Sequence, residues 1–192
     1  MNVALRTPQM TREQFFVWAQ AQNCRYEFDG FQPVAMTGGS LNHGQIVQNI
    51  QAALRSRLRG SGCRPMGPDA GISTIGDAVR YPDAIITCTR THGTSYLAEG
   101  PVVVFEVISP GNSATDRIVK VREYLAVPSI HTYVIVEQTS IGLTVLRRHG
   151  DSGWTTTTLI AGDTLRLHDP DFEQPVSELY EDVDFPGDQI AS

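Results

Sequence analysis

A chain of 192 residues with 41% hydrophobic content buries about two-thirds of its unfolded surface in one core, so its folding does not depend on disulfide or metal staples. The formal charge of −6 would oppose a nucleic-acid partner if it were evenly spread, but residues 169–192 hold eight acids and no basic residue, leaving 13 acids against 15 bases in residues 1–168. The body, at a formal +2, can meet phosphate, and the acidic end cannot.

Cys24, Cys63 and Cys88 match neither a disulfide framework nor a CxxC metal clip, so they are expected to be small buried thiols in a reducing cytoplasm. The N-terminal residues lack the charged-then-apolar layout of an export signal. The longest apolar run, residues 101–108, is broken by Glu106 and is too short to span a bilayer. A soluble, cytoplasmic protein with no membrane partner is expected.

Thr11 caps a short helix that sets Phe15, Trp18 and Ala19 on one face. A hairpin comes next: Tyr26 and Phe28 alternate with Glu27, Asp29-Gly30 is a type I′ turn signal, and residues 31–36 return. Residues 43–59 read as the long helix, with His43, Val47, Ile50 and Leu54 at helical spacing and Gly60 as the stop. Strands are expected over 71–75, 81–87 and 102–108, the last apolar enough for burial on both faces. A second helix over 115–126 ends before Pro128, and further strands lie over 133–136, 143–147 and 155–160. The order predicts an α/β (α+β) sandwich with a mixed central sheet flanked by helices. One domain is expected over residues 1–180, with a loose acidic tail over 181–192.

The chemistry is concentrated in two strands and a helix. Glu106 lies inside Val102-Val103-Val104-Phe105-Glu106-Val107-Ile108, where a carboxylate costs several kcal/mol unless a cation or donors compensate it. Asp83 begins the neighbouring apolar run Asp83-Ala84-Ile85-Ile86, so two acids on adjacent strands can converge. Two carboxylates suit a hard divalent cation such as Mg²⁺, with Mn²⁺ as a substitute, which binds oxygen and bridges to phosphate. Of the 15 basic residues, only Lys120 is lysine, an ammonium kept where a point charge differs from a planar guanidinium. Lys120 can orient a water or stabilise charge on a phosphate, and Asp116 and Tyr124 share its helix face.

Each residue also has a plainer role open to it. Asp83 can cap a turn, and Glu106 can form a buried ion pair with Arg80 or Arg122. Lys120 can lie in solvent beside Asp116, opposite the stripe Ile118, Val121, Leu125. His43 can be a capping or core histidine, and Glu27 an ordinary strand residue. Arg55, Arg57, Arg59 and Arg64 make a basic cluster that suits a solvated helix end better than a DNA patch.

Tyr26-Glu27-x-Asp29-Gly30, His43, Pro82-Asp83, Glu106-Val107-x-Ser109-Pro110 and Asp116-x3-Lys120-x3-Tyr124 together resemble the Uma-two family of restriction-endonuclease-like proteins, over roughly residues 10 to 185 by motif order. The resemblance implies a PD-(D/E)xK nuclease core, with Asp83 and Glu106 as catalytic acids and metal ligands. It implies Lys120 as the lysine, supplied from the following helix because Ile108 stands where the parent motif has Lys. Glu27 and His43 match the family's upstream acid and histidine near the metal. The activity implied by the resemblance is that of a Mg²⁺-dependent endonuclease acting on nucleic acid, DNA before RNA, and on analogy a two-fold homodimer. The competing readings are a nucleic-acid-binding or regulatory protein on the same fold without catalysis, which the missing Lys at Ile108 favours, and a protein-interaction module that uses the acidic tail.

Overall fold

The computed structural model describes residues 10–108 and 114–185, with backbone alone at 114–116 and 151. Helix α1, Arg12–Ala19, starts from a capping box in which the Thr11 side chain accepts from Gln14 N and the Gln14 side chain accepts from Thr11 N. Its one buried residue, Phe15, stacks on Phe28 with ring centroids 5.2 Å apart. Strands β1, Tyr26–Phe28, and β2, Pro33–Ala35, pair antiparallel with Phe28 opposite Pro33. Four residues therefore connect them, and the expected two-residue type I′ turn is not formed. The Asp29 carboxylate instead accepts from Phe31 N and Gln32 N at 2.8 and 2.7 Å, an Asx turn that satisfies the loop donors. Gly30, at φ +89°, is held against the turn at residues 75–77, where a Cβ would stand 2.4 Å from Gly76 O.

Helix α2, Leu41–Arg57, begins two residues earlier than its apolar periodicity suggests, because the Ser40 hydroxyl caps it by accepting from His43 N. The buried face is Ile46, Ile50 and Leu54, and His43 and Val47 flank it half-buried. Strand β3, Arg64–Met66, was not legible in the sequence. The expected strand over 71–75 shortens to β4, Ile72–Ser73, that over 81–87 shortens to β6, Ala84–Thr87, and β5, Val79–Arg80, lies outside both expectations. They belong to different sheets. β4 and β5 complete a small sheet in the order β2-β1-β5-β4, whereas β6 joins β7, Pro101–Ile108.

Helix α3, Ala114–Ala126, and the strands β8, Thr132–Glu137, β9, Gly142–Arg148, and β10, Trp154–Ile160, come where expected. The main sheet has the order β10-β9-β8-β7-β6-β3. Only β7 and β8 run parallel, and a parallel pair needs a crossover, which α3 supplies. A C-terminal hairpin, β11, Thr164–His168, and β12, Asp171–Pro175, was not expected from the sequence.

One face of the main sheet packs on α2, β11, β12 and residues 176–183, the other on Val121, Tyr124 and Leu125 of α3. Residues 181–185 are tied down: Asn49 Nδ2 donates to Leu179 O and Glu181 O, Asn42 Nδ2 donates to Asp184 O, and Val183 is buried. The tail from residue 186 lies outside the described residues. Cys63 and Cys88 form a disulfide at the β3–β6 edge and Cys24 is exposed. The three cysteines are thus not buried thiols, and they do not point to a reducing compartment. Among the described residues no helix is long and apolar enough to cross a membrane.

Candidate active site

β6 and β7 pair with Ala84 opposite Phe105, so antiparallel register sets Asp83 across from Glu106. At this point the β6 ladder ends, and the Val107 N–H, which would otherwise have no strand partner on that side, donates to Asp83 Oδ2 at 2.8 Å. That bond orients the carboxylate. Its other oxygen, Oδ1, stands 3.4 Å from His43 Nε2 in the first turn of α2. The Asp83 carboxylate raises the His43 pKa, against a burial cost that lowers it.

Glu106 is 7% exposed in the middle of β7. Its Oε1 accepts from the Tyr124 hydroxyl at 2.6 Å and lies 3.3 Å from Lys120 Nζ. Both donors come from α3 because i and i+4 share a helix face. The crossover therefore delivers two donors onto the sheet face where the acid sits. Burial raises the Glu106 carboxyl pKa, the Lys120 charge lowers it and Asp83 raises it again, and together they bring it to about 7. Tyr124, fully buried against Glu106, has its hydroxyl pKa raised by burial and by that carboxylate.

Lys120 does not lie in solvent. Its side chain is 15% exposed, and Nζ is also 3.3 Å from Glu27 Oε1. It is Ile118, from the expected apolar stripe, that is 69% exposed. Glu27 is buried and held from its other side by Arg80, whose Nη1 donates to Glu27 Oε2 at 3.1 Å. Arg80 also donates from Nε and Nη2 to the two oxygens of Glu123 at 2.6 and 2.7 Å, a bidentate pair. Burial alone would depress the Arg80 pKa, but Glu123 and Glu27 overcome it and raise it. Arg80 thus clamps the small sheet to α3 and does not pair with Glu106.

The site brings together Glu27, His43, Asp83, Glu106, Lys120 and Tyr124. The Asp116 side chain lies outside the described residues. Arg80 as a clamp and Glu123 were not expected from the sequence. Their signals were a charge inside the run Ala78-Val79-Arg80-Tyr81 and an acid directly before Tyr124. Among the described residues no group of three or more His, Cys, Asp and Glu is spaced to hold a metal, which excludes there the closed multi-ligand cage of a structural zinc. Two carboxylates alone suit a cation that keeps its waters.

A mixed sheet with two strand-borne carboxylates and a helix-borne lysine defines a nuclease-like fold of the restriction-endonuclease kind. The Uma2 family, described as "Putative restriction endonuclease", matches residues 12–176, and the chain belongs to that family. Over 181 residues the chain is 28% identical to the uncharacterized protein slr1290 of Synechocystis sp., covering 93% of this chain and 95% of that one. Its fold is similar to the crystal structure of "a putative nuclease belonging to DUF820" from Anabaena variabilis, with a TM-score of 0.69, 13% identity, and coverage of 90% of this chain and 98% of that one.

Proposed function

We propose that the protein is a divalent-metal-dependent endonuclease that hydrolyses phosphodiester bonds in DNA, with Asp83 and Glu106 as the metal ligands and Lys120 as the catalytic cation. The observation that carries this is the shared contact at Glu106: a buried carboxylate receives both Lys120 and Tyr124 on Oε1, while the register sets Asp83 beside it. Two hard oxygen donors on adjacent strands fit Mg²⁺, and Mn²⁺ in its place. Such an ion supplies Lewis-acid stabilisation of phosphoryl charge and a more acidic bound water.

The chain's own residues do the rest. The Val107 N–H fixes Asp83, and Tyr124 fixes Glu106, so neither acid has to reorganise on binding. Lys120, held between Glu27 and Glu106, carries a positive charge to the reacting phosphate and hydrogen-bonds the attacking water. Glu27 keeps the ammonium in position, anchored in turn by Arg80. His43 balances the charge of Asp83. Cutting both strands of a duplex calls for two copies of this site, and a two-fold homodimer is the assembly this reading expects.

The alternative of a nucleic-acid binder without catalysis rests on Ile108 in the place of the parent lysine; the 3.3 Å contact of Lys120 Nζ with Glu106 Oε1 supports the catalytic reading over it. A plasmid-cleavage assay in Mg²⁺ separates them. Wild type is expected to cut, with activity lost in EDTA and in Asp83→Ala. Equal cutting by Asp83→Ala would remove the assignment, and no cutting by wild type across duplex and single-stranded DNA would favour the binder.

A further inference from the structure

A cavity of about 780 Å³ opens beside the candidate site, and Asp83 and His43 form part of its wall. Its size falls within the roughly 300–1,000 Å³ of small-ligand pockets. The wall has three features that the site described above does not use. Tyr81 contributes a ring with the Arg25 guanidinium over it, 5.4 Å from the centroid; Arg25 is held there by Asp69 at 3.4 Å and by the Pro68 carbonyl. Gln48 and Gln51 also line the wall, and the Gln51 carboxamide is oriented by donating from Nε2 to the Met66 and Asp83 carbonyls at 3.0 and 3.3 Å.

The third feature is Gly44. It is the fourth residue of helix α2, Leu41–Arg57, and glycine is a weaker helix former than alanine. A Cβ built there would meet nothing within 4 Å, so no protein contact accounts for the missing side chain. By contrast Gly39 has a packing reason, since its Cβ would stand 2.7 Å from the His43 ring. A helix left bare toward a cavity is what close approach by a ligand requires.

We propose that this cavity holds one nucleobase of the substrate strand, taken out of its stack, next to the phosphodiester that meets Asp83. The inference rests on the nuclease reading above. A nucleic acid offers one part that is flat, largely apolar and edged with donors and acceptors, and that part is the base. An aromatic ring, a guanidinium plane and two carboxamides complement it. A paired base in a duplex cannot enter a cavity, so unpaired or extruded nucleotides are the preferred substrates.

The test is a fluorescence titration with Ca²⁺ in place of Mg²⁺, using a single-stranded decadeoxynucleotide with a central 2-aminopurine, the same strand in a full duplex, and free 2-aminopurine deoxyriboside monophosphate. Quenching on the single strand is expected, with affinity at least about tenfold above the duplex and the monophosphate. Gly44→Met should abolish the quenching and weaken strand binding about tenfold or more, and Gly44→Ala should fold with an unchanged or raised thermal midpoint. If Gly44→Met lowers the midpoint, Tyr81→Leu makes the same test by removing the ring while keeping apolar volume. No quenching by wild type, wild-type binding by the filled or ring-less cavity, or a monophosphate that binds as tightly as the strand would overturn the proposal. Cleavage measured in parallel in Mg²⁺ separates the two failures: quenching without cleavage removes the nuclease reading alone, and cleavage without quenching removes the base pocket alone.

Discussion

Along β7 the residues that face α2, Val103, Phe105 and Val107, are all apolar, whereas the face toward α3 runs Val104, Glu106, Ile108. Both faces are buried. On the first, each side chain stabilises by leaving water, about 1.5–3 kcal/mol for a residue of this size. On the second, one carboxylate costs several kcal/mol unless compensated, and α3 compensates it with Tyr124 and Lys120. The same strand thus serves as a core on one side and as a charged site on the other, and the difference lies in what the helix opposite it brings.

Removing the acids has the largest expected effect. Asp83→Ala or Glu106→Gln should lower Mg²⁺-dependent cleavage of labelled DNA by about 10³-fold or more, with the circular-dichroism spectrum of the folded protein retained. On the other face, Phe105→Ala should cost about 3–5 kcal/mol in urea-unfolding free energy. If Glu106→Gln unfolds the protein and Phe105→Ala does not, the two faces have been assigned the wrong way round.

Lys120→Arg tests whether the point charge matters. A planar guanidinium keeps the charge but not the geometry, so cleavage should fall about 10²-fold while stability changes little. Full activity in both Lys120→Arg and Lys120→Ala would return the lysine to a structural ion pair.

The smallest effect expected is in the pH dependence of stability without metal. The Glu106 carboxyl, about 7 in the fold against an ordinary 4.5, holds its proton more tightly folded than unfolded. Its contribution is full below about 4.5 and is lost as pH rises through about 7. Thermal midpoints in EDTA should therefore fall between those values, by a free energy on the order of 1–3 kcal/mol. Glu106→Gln should flatten most of that slope, leaving a fall of the same sign from His43, which is also raised. A wild-type midpoint that rises over this range would contradict the raised carboxyl.

The site was legible where a charge interrupts an apolar run. Glu106 and Asp83 stand out because burial of a carboxylate demands a partner, and Lys120 because it is the single lysine of the chain. Arg80 and Glu123 were harder to read, since their pairing joins residues 43 apart on different elements and no local period reports such a contact. The helices and the strands β7 to β10 follow from apolar periodicity and their caps. The break between β5, Val79–Arg80, and β6, Ala84–Thr87, does not, because the two pieces lie close together in the chain and only the tertiary fold assigns them to different sheets. The hairpin β11–β12 alternates polar and apolar as an edge ribbon does, with Leu165, Leu167 and Phe172 inward, a short pattern masked by the acidic composition around it. The disulfide escaped because spacing alone cannot say that the ends of β3 and β6 meet.

On the proposed function, Asp83 and Glu106 share one divalent cation. Isothermal titration of Mn²⁺ into wild type, Asp83→Ala and Glu106→Gln tests it without reference to any substrate. One site per chain is expected in wild type, with binding lost in Asp83→Ala and in Glu106→Gln. Equal binding of Mn²⁺ by all three proteins would contradict the account.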